Sequence, residues 1–370
     1  RTSAARSFPS ADLLAGWEVP DGLHHHAQEA AGVLMIHLSW MPGVDLGGLR
    51  ALLVQGGPPT GTWGLIGHTV HVAEGGTPAR LAEVAAQQTR PAMAGALLLW
   101  AAIVAENGGD VDTARRYAEE ALRGPLPPYL SASLHAELSQ LAMTTGDHHR
   151  AARHAEVAWP LLERIHSVTD AYSLQVATAI APLLDGDVAE AERLLETFGP
   201  PDGDSAQMGA RLTWCVAQAE LALAKGDHGE AIARYDAAVE LVTDVEGGPA
   251  ASPWLAIAAS AALVARVRHG DPGPDPRAEE LRDLVAGDSG RGPAGMLWFT
   301  DLPLNGVLLV ALASWVLRHG PEHQHPDAVQ LLAVAHRWAY NRSIPVMAWE
   351  PLAHLADAVL PGRVGRLVEE

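Results

Sequence analysis

A single cysteine, Cys215, and a single lysine, Lys225, stand in a chain of 370 residues. One thiol cannot make a disulfide within the chain, so a reducing compartment is expected and the reading is cytoplasmic. Basic residues number 25 against 44 acidic ones, for a formal net charge of −19. Such a surface repels phosphate backbones and anionic headgroups, which argues against direct nucleic-acid contact and against a polybasic membrane anchor. Aromatics make up only 5% of a chain that is 48% hydrophobic, so alanine, leucine and valine must fill the interior. Alanine and leucine favour helix, and β-branched runs of strand length are scarce. No apolar run approaches the roughly 20 residues that cross a bilayer. Residues 1–20 lack the compact apolar stretch of a signal peptide. The chain begins at Arg1 rather than methionine, so a piece of a longer protein is expected.

The usual chemical signatures are also missing. There is no Gly-x-x-x-x-Gly-Lys-Ser/Thr loop for a nucleotide, no His-Glu-x-x-His and no Gly-x-Ser-x-Gly elbow. No catalytic residue, cofactor site or metal site is therefore expected, and the chain is not expected to be an enzyme. Cys215 lies in the apolar helical run 212–217 and reads as a packed structural thiol. Among the 18 histidines, His68 and His71 are one turn apart and Glu74 follows, which would align three ligands on one helix face. That spacing supports a rival reading, a metal-dependent hydrolase, but a solvated polar face accounts for it more simply. His148, His149 and His154 begin a helix and are expected to face solvent.

What the sequence does contain is a repeat. Gly109-Asp110, Gly146-Asp147, Gly186-Asp187 and Gly226-Asp227 are each followed, after three free positions, by an alanine: Ala114, Ala151, Ala191 and Ala231. The glycines are spaced by 37, 40 and 40 residues. Glycine can take the left-handed conformation that ends one helix, and aspartate can cap the next by accepting a backbone N–H. The small alanine one turn later lets two helices approach. Apolar residues then recur at helical spacing, as in Ala231, Tyr235, Ala238 and Val239. Weaker copies surround Gly43, Gly76, Gly270 and Gly320. Each copy predicts helix, tight turn, helix. Periods in this range point to stacked helical hairpins.

These hairpins resemble tetratricopeptide repeats, and Pro125 sits where such repeats place a proline after the second helix. The resemblance implies an all-α fold, a right-handed α-solenoid of tetratricopeptide-like hairpins whose first helices line a concave face. The expected groove residues are Leu99, Trp100, Ile103 and Glu106, then Gln140 and Met143, then Val176 and Ile180, then Trp214 and Glu220, with Trp254 beyond. Few cations fall on these first helices, so a clamp for an acidic peptide tail is excluded. A neutral, apolar or cationic ligand fits better. Trp100, Trp214, Trp254 and Trp315 all fall on first helices, where packing between repeats is the plainer role for them.

The expected organisation is a loosely ordered segment over 1–20, degenerate hairpins over 21–90, repeats over 91–286, and terminal hairpins with a cap over 287–370. The last part carries its own text: residues 301–315 form a long apolar helix, residues 328–342 a second, and Ile344-Pro345 precede Ala348-Trp349. This region resembles the carboxyl-terminal part of large actinobacterial transcription activators of the SARP (AfsR-like) family. The resemblance implies a helical-repeat sensor, with DNA-binding and ATPase domains of the same regulator as partners and a small-molecule effector possible. It supplies no ligand motif. A free-standing scaffold for a protein partner is the alternative. Arg342 is expected to cap the carbonyls of its own helix, and Pro345 to force an extended approach to the last helix.

Overall fold

The computed structural model describes residues 19–20, 22–38, 47–71, 77–164, 168–201, 208–246, 253–270, 273, 275–286 and 301–369. Among these residues there are eighteen α-helices and no strand, as composition predicts. The expected turns at Gly43 and Gly76, the expected loop 287–295 with its boundary at Gly287, and nearly all of 1–20 lie outside the described residues. The chain divides into two compact units, Arg1–Val104 with Glu120–Leu126, and Ala105–Glu119 with Pro127–Glu370. That division cuts through a helical hairpin rather than falling at residue 91.

The first unit holds four short helices, α1 (His24–Leu38), α2 (Gly47–Val54), α3 (Thr62–His71) and α4 (Pro78–Ala86), and most of α5 (Pro91–Asn107). Ala31 and Met35 of α1 pack on Leu49, Leu52 and Leu53 of α2. The Gln28 amide donates to the carbonyls of Gln55 at 3.0 Å and Gly57 at 2.8 Å, which would otherwise be orphaned beyond the end of α2. The Glu29 carboxylate accepts the Gly64 N–H at 2.7 Å, a cap for α3 supplied from another helix. A Cβ at Gly32 would stand 2.2 Å from the Trp63 carbonyl oxygen, so glycine is what permits α1 and α3 to touch there.

The hairpins follow as α5 with α6 (Val111–Leu122), α7 (Pro128–Thr144) with α8 (His148–Arg164), α9 (Val168–Leu184) with α10 (Val188–Phe198), and α11 (Met208–Ala224) with α12 (His228–Glu246). Their turns are four copies of one geometry. Gly109, Gly146, Gly186 and Gly226 have φ of 78°, 80°, 81° and 79°. Each following aspartate donates its N–H to the carbonyl five residues back, at 2.8 to 2.9 Å, closing the preceding helix. Each aspartate then accepts, through Oδ1, the N–H three residues on, at 3.0 to 3.1 Å. Ala114, Ala151, Ala191 and Ala231 are fully buried, as close helix approach requires.

Two substitutions test this reading separately. Asp187→Ala removes only the cap and is expected to cost about 1 kcal/mol. Gly186→Ala adds a methyl that meets nothing within 4 Å, so its cost is the backbone strain of a left-handed alanine, about 1–2 kcal/mol. Urea unfolding followed by circular dichroism measures both, and a neutral Gly186→Ala would refute the left-handed turn.

Successive hairpins share cores. Ala132 of α7, Ala155, Ala158 and Leu162 of α8, and Ala171 and Leu174 of α9 form one. Tyr172, Val176, Ile180 and Leu183 of α9, Leu195 of α10, and Ala217 and Leu221 of α11 form the next. Leu212, Ala238, Val242, Leu255 and Ala258 join α11 and α12 to α13 (Pro253–His269).

Packing is not confined to neighbours in sequence. After α14 (Pro276–Ala286) comes α15 (Leu302–His319), followed by α16 (His325–Arg337), α17 (Trp349–Val359) and α18 (Arg363–Glu369). Helix α15 is buried without interruption from Pro303 to Ser314, among α13, α14, α16 and α17. A helix apolar all round must be enclosed by protein or by lipid. Leu302–His319 is long and apolar enough to cross a bilayer, contrary to expectation, yet 72% of that stretch is buried inside the fold. Residues between 338 and 348 bond to the helices α7, α11 and α13, all far earlier in the chain. Stacking of each hairpin on the pair beside it is thus supplemented by contacts from far along the chain.

Candidate functional site

The expected groove residues have different fates. Leu99, Trp100 and Ile103 lie on α5 in the first unit, Leu99 and Trp100 half-buried with Ile103. In the second unit, Gln140 and Met143 are half-buried on α7. Val176 and Ile180 do not line a groove; they are buried in the core that α9 shares with α10 and α11, because the apolar stripe of α9 is needed there. Trp214 packs against the same core, while Trp254 is 51% exposed at the start of α13.

Glu220 is only 4% exposed, and what covers it is the chain's own carboxyl-terminal part. Its Oε1 accepts the Tyr235 hydroxyl at 2.5 Å and the Val346 N–H at 2.7 Å. Arg268 donates to the Val346 carbonyl at 2.5 Å, so the N–H and C=O of one residue are held from α11 and α13. Burial pushes the Glu220 carboxyl up to about 7, against the pull of Tyr235, the Val346 N–H and Arg268.

The same segment reaches α7. Arg342 donates its backbone N–H to the Thr144 carbonyl at 3.3 Å and its guanidinium to the Thr145 carbonyl at 3.5 Å. Arg342 therefore caps the end of α7, not of its own helix, where a cation meets the negative end of the helix dipole. His148, expected in solvent, is buried beside this contact and held down to about 4, first by desolvation. Pro345 opens a short 3₁₀ turn, Pro345–Met347, rather than a fully extended approach. Tyr340 anchors the segment, fully buried, with its hydroxyl donating to the Met347 carbonyl at 2.8 Å.

A second group, of carboxyls, comes from three helices. Glu106 ends α5, Glu137 lies one turn before Gln140 on α7, and Asp301 caps α15 by accepting the Leu304 N–H at 2.8 Å. Thr144 donates to Glu106 Oε1 at 3.4 Å. Burial, then the Asp301 charge, raise Glu106 to about 7. Burial and the adjacent Glu106 raise Glu137 well above the usual carboxylate range, and burial takes Asp301 to about 6. Two carboxyls in hydrogen-bonding reach cannot both ionise cheaply, so this pair holds a proton between them. Helical spacing could have found Glu137, since it shares α7 with Gln140 and precedes it by one turn. Asp301, Tyr235, Arg268 and Arg342 carry no such signal.

Elsewhere, His135 Nδ1 and His154 Nδ1 stand 3.0 Å apart, and burial with His135, Arg150 and Arg153 holds His154 down to about 4. Cys215 is half-buried, and desolvation raises its thiol, the reverse of an activated nucleophile. No set of three His, Cys, Asp or Glu among the described residues could hold a metal ion; the His71 side chain and Glu74 lie outside those residues. Comparison with protein-family models, with curated proteins and with solved structures returns no match.

Proposed function

We propose that this chain is a regulatory binding module, a right-handed α-solenoid of tetratricopeptide-like hairpins acting as the sensor of a cytoplasmic transcription activator. One observation supports it most: Glu220, a first-helix position of the repeats, meets the chain's own carboxyl-terminal part instead of open solvent. An effector or partner engaging these helices would then change how that part is seated. In a stacked array each small rotation adds to the next, so a local event is carried along its length. The effector must favour one seating over the other for this to regulate anything. The partners expected are the ATPase and DNA-binding domains of the same regulator.

The test is deletion of residues 91–370 from the longer protein. Inducer dependence of transcription is expected to be lost while operator binding is kept. Loss of operator binding by the remaining domains would overturn this division of labour.

A second reading, a scaffold for a protein partner, draws on the exposed aromatics Tyr129 of α7 and Trp254 of α13. Aromatic anchors are common at protein interfaces. Capture of one stoichiometric partner, abolished by Trp254→Ala, would favour it.

A further inference from the structure

We propose that residues 338–348 form a releasable strap over the first-helix surface of the repeats, one that lifts while the repeat helices stay packed. The proposal rests on the regulatory reading above for its purpose and names the element that moves. The strap runs between α16 and α17 and touches places that chain order keeps apart. A Cβ at Gly109 would stand 3.1 Å from the Trp338 carbonyl oxygen, and one at Gly146 would stand 3.7 Å from Arg342 Cδ. The strap therefore crosses the turns of two successive Gly-Asp hairpins. It grips the end of α7 through the backbone and side chain of Arg342. It meets α11 and α13 through the N–H and the C=O of Val346.

Three independent costs fall on this one contact. Ala339 has φ of 50°, the only positive value at a non-glycine residue among those described. Its Cβ makes that left-handed turn strained. The Arg342 Nε–H is buried and meets no acceptor. Glu220 is a carboxyl shut away from water where Val346 arrives, and burying such a group is unfavourable. Strained backbone and orphaned donors persist only where the surroundings over-determine them, and they gather at segments that use two arrangements.

The grip itself is loose at one end. Arg342 reaches the Thr144 and Thr145 carbonyls at 3.3 and 3.5 Å, the long end of hydrogen bonding. The repeats, by contrast, carry their own packing. None of the cores described above that join α7 through to α13 includes a strap residue. Those helices can keep their apolar contacts when the strap leaves. Lifting it uncovers Glu220, Tyr235 and Arg268, from α11, α12 and α13, together with the carbonyl end of α7.

The test is amide hydrogen exchange of the full chain under native conditions, resolved to single residues by NMR. The Arg342 and Val346 amides are expected to be protected relative to an unstructured peptide, because both are hydrogen-bonded. They should still exchange at least tenfold faster than the slowest amides of α9 and α11, since local opening precedes unfolding. Ala339→Gly relieves the backbone strain of the seated strap and should slow both amides threefold or more relative to α9. Arg268→Gln loosens the Val346 carbonyl and should quicken the Val346 amide threefold or more. Should that variant not fold, Ala339→Gly decides alone. Exchange of Arg342 and Val346 in step with α9, no protection at either amide, or no slowing in Ala339→Gly overturns the proposal, as does an unchanged Val346 amide in a folded Arg268→Gln. None of these outcomes bears on the deletion experiment, so the strap and the regulatory reading fall separately.

Discussion

Replacing Tyr340 with alanine is expected to destabilise the second unit by about 3–5 kcal/mol, the range for removing a buried aromatic. The ring is fully buried and its hydroxyl holds the Met347 carbonyl. Gly306 of α15 packs so closely on it that an added Cβ would lie 2.6 Å from the Tyr340 Cβ. Removing the ring thus opens a cavity between α15 and the segment that Glu220 and Arg268 hold. Tyr340→Phe isolates the hydroxyl and should cost only about 1 kcal/mol. Urea unfolding measures both, and amide exchange at Val346 should quicken most in the alanine variant. A loss below about 1 kcal/mol for Tyr340→Ala, well under the cavity range, would mean that the segment does not hold the fold together.

The second large effect is an unusual pH dependence. Glu106 and Glu220 are raised to about 7 and Asp301 to about 6 in the folded chain, with Glu137 also well above its usual range. The folded state keeps these protons after the unfolded chain has lost them. The contribution of the glutamates to stability is therefore full below pH 4.5 and is lost as pH rises through about 7. Histidines 148, 154 and 269 work oppositely. Each is held down to about 4, so the folded state keeps them neutral, and that contribution is lost as pH falls from 6.5. The two sets oppose each other between pH 4.5 and 6.5, and above that only the carboxyls act. Stability should fall by about 3 kcal/mol between pH ~6 and pH ~8, because each proton held only by the folded chain costs about 1.4 kcal/mol per pH unit. Glu220→Gln should reduce that fall by about 1 kcal/mol. Denaturant midpoints at the two pH values measure it; a midpoint that is level or rises over this interval contradicts the protonated carboxyls.

The carboxyl-terminal part takes part in both effects. Val346 bonds to Glu220, Arg342 to the end of α7, and the Asp301 charge acts on Glu106. Ionising Glu220 is therefore expected to alter how Val346 is held.

The hairpin turns are legible in the amino-acid string because their physics is local. Glycine's left-handed φ, the aspartate cap and the buried alanine all act within about five residues, so Gly-Asp-x-x-x-Ala carries its own geometry. Helical content follows from alanine and leucine for the same reason. What covers the first helices is not legible. The bonds that decide it join residues 126 and 197 positions apart, and no spacing rule reaches that far. So Glu106 and Glu220 can be placed on the right helices, but not beside Asp301 and Val346. Val176 and His148 depart from expectation by the same logic: a helix displays its stripe in sequence, whereas burial depends on which surface arrives to meet it. Local backbone chemistry belongs to the sequence. The choice of partners for each face belongs to the tertiary fold, where desolvation and long-range contacts compete.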